Sequence, residues 1–284
     1  RFPIIKGRSR VSFDDWEACR MAATAEQLYK AHVKNLRSIT VALDRLLTEL
    51  NDNLSKGDNK TADALLKTSM LLMGAWAENR LRKVLFEQNG FSTAERMRVE
   101  GSPTQIDSWK MAIEISFRKR YGLPNADLRT ALPATPRAQY LALIGVVDGE
   151  LRPIIEVRNK LAHGQWSRTL NNSNDDFAPA TMALINGENA HSVKCKKRIL
   201  ESLALIIHDL VAGNHAFPRD FDKHFKNLEH ARLEISARSY ADWLAKMQAK
   251  YERGKAQRRL GPQIAQGNAS QHPNIWSRFK SRFF

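Results

Sequence analysis

Disulfide chemistry has almost no material here: the 284 residues include two cysteines, Cys19 and Cys195, which show no short ligand spacing and no framework of pairs. This argues against a stapled mini-protein and a cysteine-built metal domain, and leads us to expect a reducing, cytoplasmic setting. Long apolar runs are also missing. No stretch approaches the roughly 20 consecutive apolar residues of a membrane-spanning helix. The basic segment Arg1 to Arg10 lacks the apolar stretch of a secretory leader, so neither secretion nor a membrane span is expected. Acidic residues are in deficit as well, with 30 Asp and Glu against 45 Lys and Arg and a formal net charge of +15. Such a field rewards contact with a polyanion, either nucleic acid or an anionic membrane surface.

Several chemical signatures are absent too. Lys56-Gly57-Asp58-Asn59-Lys60-Thr61 lacks the glycine spacing of a phosphate loop, and no serine or cysteine nucleophile pattern stands out. His215, Asp220, Asp222, His224, Glu229 and His230 fit no standard ligand spacing and read as a solvated helix start. His208, beside Ala204 and Val211, reads as a hydrogen-bonded core residue. No metal and no cofactor are expected.

With 43% hydrophobic and 26% charged residues, the composition is that of a folded globular protein with a sizeable core. The patterning is helical throughout. Residues 8–56 hold neither proline nor glycine, and Leu36, Ile39, Leu43, Leu46, Leu47, Leu50 and Leu54 recur at helical spacing up to Lys56-Gly57-Asp58. A second helix is expected over 61–88, striped by Leu66, Met70, Met73, Ala77, Leu81 and Val84 and stopped by Asn89-Gly90. Its methionines read as core filler. Ser102-Pro103 opens a third helix to Tyr121-Gly122; Thr135-Pro136 opens another, closed at Asp148-Gly149; Arg152-Pro153 opens a short one ending at His163-Gly164. Residues 166–189 read as irregular with a short strand at 181–185, and helices follow over 189–213 and 219–253. The expectation is an all-α bundle. It divides into an N-terminal helix (1–57), a helical core (58–215), a C-terminal helix (216–253) and a basic tail (254–284).

The run that carries chemistry is Glu156-Val157-Arg158-Asn159-Lys160-Leu161-Ala162-His163-Gly164. It places a permanent cation, an amide and a group that exchanges protons near neutral pH within two helical turns. RNA cleavage through the 2′-hydroxyl needs those parts: a base for the hydroxyl proton and fixed donors for the phosphorane. At roughly 100° per residue, Arg152, Glu156, Asn159 and His163 share one stripe, while Arg158 lies about 140° from His163 among Ile154, Ile155 and Leu161. An arginine so placed needs a partner, and Glu78 is the candidate.

Arg158-Asn159-x3-His163 with Gly164 resembles the Arg-x4–6-His motif of the HEPN superfamily. The run Trp76-Ala77-Glu78-Asn79-Arg80 looks like the earlier helix whose polar residues face that motif. The resemblance implies a helical bundle and an endoribonuclease that uses no metal, acting as a toxin or antiviral defence effector. It also implies a homodimer with a composite cleft and an antitoxin or other regulatory partner. In this reading His163 is the general base, Arg158 stabilises the phosphorane, Asn159 orients the histidine or phosphate, and Lys160 contacts RNA. Gln165 stands where some members carry a tyrosine that a partner enzyme modifies, so that mode of silencing is not implied. A non-catalytic HEPN-like RNA-binding or adaptor module, and a scaffold at a membrane surface, remain open.

More than half of the net charge, +8, lies in residues 246–284, where nine Lys or Arg accompany one Glu. Arg258, Arg259, Arg278, Lys280 and Arg282 are interleaved with Tyr251, Trp276, Phe279, Phe283 and Phe284. Cations beside aromatics suit single-stranded RNA, an anionic membrane or protein docking, and a merely solubilising tail has the same composition.

Overall fold

The computed structural model describes residues 23–212, 216–237 and 239–269. The expected helix over 8–22, Cys19, His215 and the tail residues from 270 onward, including Arg278, Lys280 and Arg282, lie outside the described residues.

Helix α1 (Ala25–Lys56) starts at a capping box in which Thr24 and Gln27 satisfy each other's backbone amides. It buries Leu36, Leu43, Leu47, Leu50 and Leu54, the stripe read in the sequence. Gly57 and Asp58 turn the chain into α2 (Asn59–Leu85), which returns along α1 as an antiparallel hairpin. Trp76 Nε1 donates to Thr40 Oγ1 across it at 2.9 Å. Residues 40 and 76 are nearly equidistant from the turn, as that register requires. Because α1, α7 (Arg152–Ala162) and α9 (Ala190–Val211) all pack on α2, its buried set spreads around the helix and includes Met70, Met73, Trp76, Ala77 and Leu81. The methionines are core residues, as expected.

Between α2 and α9 run α3 (Thr93–Glu100), α4 (Gln105–Tyr121), the single turn α5 (Leu128–Ala131), α6 (Ala134–Val146), α7 and α8 (Pro179–Gly187). Among the described residues the chain is all-α, with one isolated antiparallel bridge between Leu170 and Phe177.

Several expectations are corrected. Helix α3 was not read from the sequence, although Ser92 and Glu95 form a capping box ahead of it. Helix α4 starts after Thr104, which caps Asp107, so Pro103 precedes the cap and is not in the first turn. Asp148-Gly149 stops nothing: Val147–Leu151 forms a π-helical turn that leads directly into α7. Val146, Val147 and Leu151 are fully buried and hold the chain in place, while Pro153 has no N–H to give an α-helical bond. The wider turn, with Arg152 N–H bonded to Val147 O, carries the helix over that gap. The expected strand at 181–185 lies within α8, where Pro179 sits in the first turn and Ala180, Met182, Ala183 and Leu184 are helix formers that outweigh Thr181 and Ile185. The single helix expected over 219–253 is two, α10 (Ala216–Ala237) and α11 (Tyr240–Ala269), broken around 238–239, and α11 runs on into the segment read as tail.

Helix α9 is buried on most sides and pairs with α10, which contributes Phe221, Leu228 and Ala231 to the core. Helix α11 lies on α1: Gln248 Nε2 donates to Leu54 O at 3.1 Å, and Trp243, Leu244 and Met247 pack against the core.

Candidate functional site

Helix α7 is sharply amphipathic, burying Ile154, Ile155, Val157 and Leu161 and exposing Glu156 and Asn159. Its contact with α2 places Arg158. The arginine stem crosses α2 at Gly74, where a built Cβ would lie 2.5 Å from Arg158 Cγ and 2.7 Å from its Cβ. Glycine is required here because any larger residue would occupy the space of the arginine stem. The guanidinium then reaches along α2, with Nη2 bonded to Glu78 Oε2 at 3.2 Å and Nη1 to Asn159 Oδ1 at 2.9 Å. Glu78 is thus the partner of Arg158, as the sequence suggested, and its Oε1 also meets Arg82 Nη2 at 2.7 Å. Both members of the Arg158–Glu78 pair are about one-third exposed, at 31% and 32% of their side chains. They line an open groove of about 690 Å³ between α2, α4 and α7, together with Arg82, Glu100, Thr104 and Gln105.

His163 is positioned by a different device. It caps the C-terminus of α7, and Gly164 follows with φ +76. The amides of Gly164 and Gln165 bond to the carbonyls of Leu161 and Lys160 at 3.1 and 3.0 Å. That is a Schellman closure, which needs the left-handed glycine and leaves the imidazole exposed at the helix end. The following loop is bound back on the same end. Trp166 Nε1 donates to Leu161 O, Lys160 Nζ to Leu170 O, and Leu170 N to Gln165 Oε1. This loop forms the far wall of a second open groove of about 1120 Å³, lined by Glu156, Asn159, Lys160, His163, Gln165 and Asn171 among others.

Arg158 and His163 therefore open into different grooves, and Asn159 lines both. The helix end does not distort to unite them, and the angular separation expected from an ideal helix is the one found. Of the remaining expected site residues, Lys160 is half-buried with its ammonium spent on the loop backbone. From the run at 76–80, Glu78 alone reaches the motif: Trp76 and Ala77 are buried, and Asn79 bonds back to Ala75 O. Burial lowers the Arg80 pKa from its ordinary value, against the opposing influence of Glu201 and Glu87. Arg258 is exposed on α11, bonded to Gly254 O, and the side chain of Arg259 lies outside the described residues.

Sequence reasoning missed Gly74, Arg82 and the clamping loop. The signal for Gly74 was available, since a glycine inside a strong helical pattern costs stability and marks a close approach.

The arrangement offers a partly exposed guanidinium held by a carboxylate, an amide shared between two grooves, and an exposed imidazole in a wide polar cleft. Comparison with protein-family models, with curated proteins and with solved structures finds no match to this chain.

Proposed function

We propose that this chain is an HEPN-like endoribonuclease that cuts RNA without a metal in the reaction, acting as a toxin or defence effector. The observation that carries the reading is the seating of the motif. Arg158 is fixed by Gly74, Glu78 and Asn159, while a Schellman turn presents His163 to an open groove that shares Asn159. In the reaction His163 removes the proton of the 2′-hydroxyl. The 2′-oxygen forms a bond to phosphorus, Arg158 and Asn159 stabilise the phosphorane, and the bond to the 5′-oxygen breaks. The products are a 2′,3′-cyclic phosphate and a 5′-hydroxyl, whose proton comes from water or from His163 of the partner subunit.

The two grooves give the dimer its role. One protomer presents its guanidinium and imidazole on different sides of Asn159, so a second α7 end brought alongside supplies the imidazole that faces Arg158. A homodimer and a restraining antitoxin or regulatory partner belong to this proposal. RNA cleavage in EDTA by the wild type and by His163→Ala is its test.

One observation favours a second reading, a non-catalytic RNA-binding or adaptor module. Glu78 already neutralises Arg158, on a side of the helix that His163 does not share. Binding that survives His163→Ala and weakens steeply with salt, without cleavage, is the outcome that selects it.

A further inference from the structure

A second cluster of reactive side chains lies away from α7, where α9, α10 and α11 meet. His191 and Cys195 stand one turn apart on α9, both buried, and Glu234 approaches from α10. One ligand-capable atom from each lies within 4.8 Å of the other two. We propose that His191, Cys195 and Glu234 bind a zinc-class divalent cation that fastens α10 to α9 beside the start of α11.

The donor set selects the class of ion. Nitrogen, sulfur and carboxylate oxygen together suit a borderline-soft cation such as zinc, whereas magnesium and calcium take oxygen shells. Three protein ligands leave a fourth tetrahedral position for water. Zinc held at about 2.0–2.3 Å brings such ligand atoms to roughly 3.3–3.8 Å from one another, so the cluster closes by about 1 Å of side-chain rotation. Sγ of Cys195 is already 3.9–4.0 Å from the two ring nitrogens of His191.

The surroundings match what a metal-binding histidine needs. Nε2 of His191 lies 3.2 Å from the Glu234 carbonyl oxygen, and donation there leaves Nδ1 with its lone pair as the ligand atom. Arg198 bonds to Glu234 Oε2 at 2.5 Å and orients the carboxylate. Trp243 of α11 lies against the imidazole, ring centroids 5.6 Å apart, and gives the cluster an apolar wall. A thiolate and a carboxylate together balance the charge of a dication. The cation acts structurally and takes no part in the cleavage proposed for α7. From the sequence no ligand spacing was seen at the cysteines and no metal was expected; the i,i+4 step from His191 to Cys195 is the one local signal for this cluster, since Glu234 lies 39 residues further on, too far to be read as a motif.

Cobalt(II) titration of the chelator-stripped, reduced full chain tests this directly. The expected result is one equivalent bound, with a thiolate-to-cobalt charge-transfer band in the near ultraviolet that zinc displaces. Cys195→Ser removes the band, Cys19→Ser keeps it, and Glu234→Gln weakens cobalt affinity by at least about tenfold. If Cys195→Ser fails to fold, the Cys19→Ser and Glu234→Gln variants decide alone. No band in the wild type, a band lost with Cys19→Ser, or an affinity indifferent to Glu234→Gln overturns the proposal.

Discussion

Gly74 of α2 and Arg158 of α7 approach so closely that the arginine stem fills the space a β-carbon at position 74 would need, 2.5 Å from Cγ and 2.7 Å from Cβ. The arginine Cβ cannot rotate away, so only a shift of α7 against α2 relieves that contact. Alanine at this position gains up to about 1 kcal/mol of helix propensity over glycine, while overpacking costs about 1–3 kcal/mol and here meets a Cβ that the backbone fixes. Gly74→Ala is therefore expected to lower the urea midpoint by an amount worth about 1–2 kcal/mol and to move the guanidinium off Glu78. A stability equal to the wild type would show that the two helices are not held at this distance.

Glu78 stands between Arg158 and Arg82. With about one-third of each side chain exposed, the pair with Arg158 contributes roughly 0–1 kcal/mol to stability, so Glu78→Gln leaves folding nearly unchanged. Its effect falls on function: removing a negative charge from the groove does not weaken RNA binding, while loss of the anchor slows cleavage by about tenfold or more. Single-turnover kinetics and filter binding separate the two. Weaker binding with an unchanged cleavage rate contradicts the positioning role.

The pair between His208 and Glu87, Nδ1 to Oε2 at 2.8 Å, ties α9 to the turn after α2, and Lys83 bonds to the other carboxylate oxygen. The hydrogen bond to Glu87 raises the His208 pKa above its ordinary 6.5 against the effect of burial. For Glu87 burial works upward, yet the bonds from His208 and Lys83 outweigh it and lower its pKa below the ordinary 4.5. The signs are opposite. The histidine contribution is complete below about pH 6.5 and is lost as pH rises through the folded value; the glutamate contribution is present above about pH 4.5 and is lost on acidification. Above about pH 6.5 the urea midpoint is expected to fall more in the wild type than in His208→Gln, which keeps the opposite contribution of His32, whose pKa burial lowers. Parallel profiles for the two proteins contradict this.

Lys246, Lys250, Arg253 and Arg258 are exposed on α11, the helix that packs on α1. Replacing all four by glutamine is expected to weaken RNA binding and to flatten the slope of log K against log salt by about 3 units, while leaving the cleavage rate at saturating RNA unchanged. An unchanged slope means that the charge serves another purpose.

Much of the bundle was legible because apolar spacing and caps agree along α1, α2 and α9. The failures have local causes. Asp148-Gly149 looked like a stop because punctuation by glycine is a local signal, whereas buried Val146, Val147 and Leu151 hold that segment through the surrounding core. The strand expected at 181–185 was too short for periodicity to distinguish strand from helix. In the site, the angular separation of Arg158 and His163 follows from helix geometry and was readable. The groove each opens into was not, because it depends on α4 and on the loop after Gly164, which meet α7 only in three dimensions.

The most direct measurement is cleavage of RNA in EDTA, below the temperature at which the stripped protein unfolds, with product ends identified. The account predicts that the wild type yields 2′,3′-cyclic phosphate and 5′-hydroxyl ends, and that His163→Ala and Arg158→Ala each lose at least about 100-fold in rate while remaining folded. Wild-type protein that leaves tRNA, mRNA and phage RNA intact, or variants that cut as fast as the wild type, would contradict it.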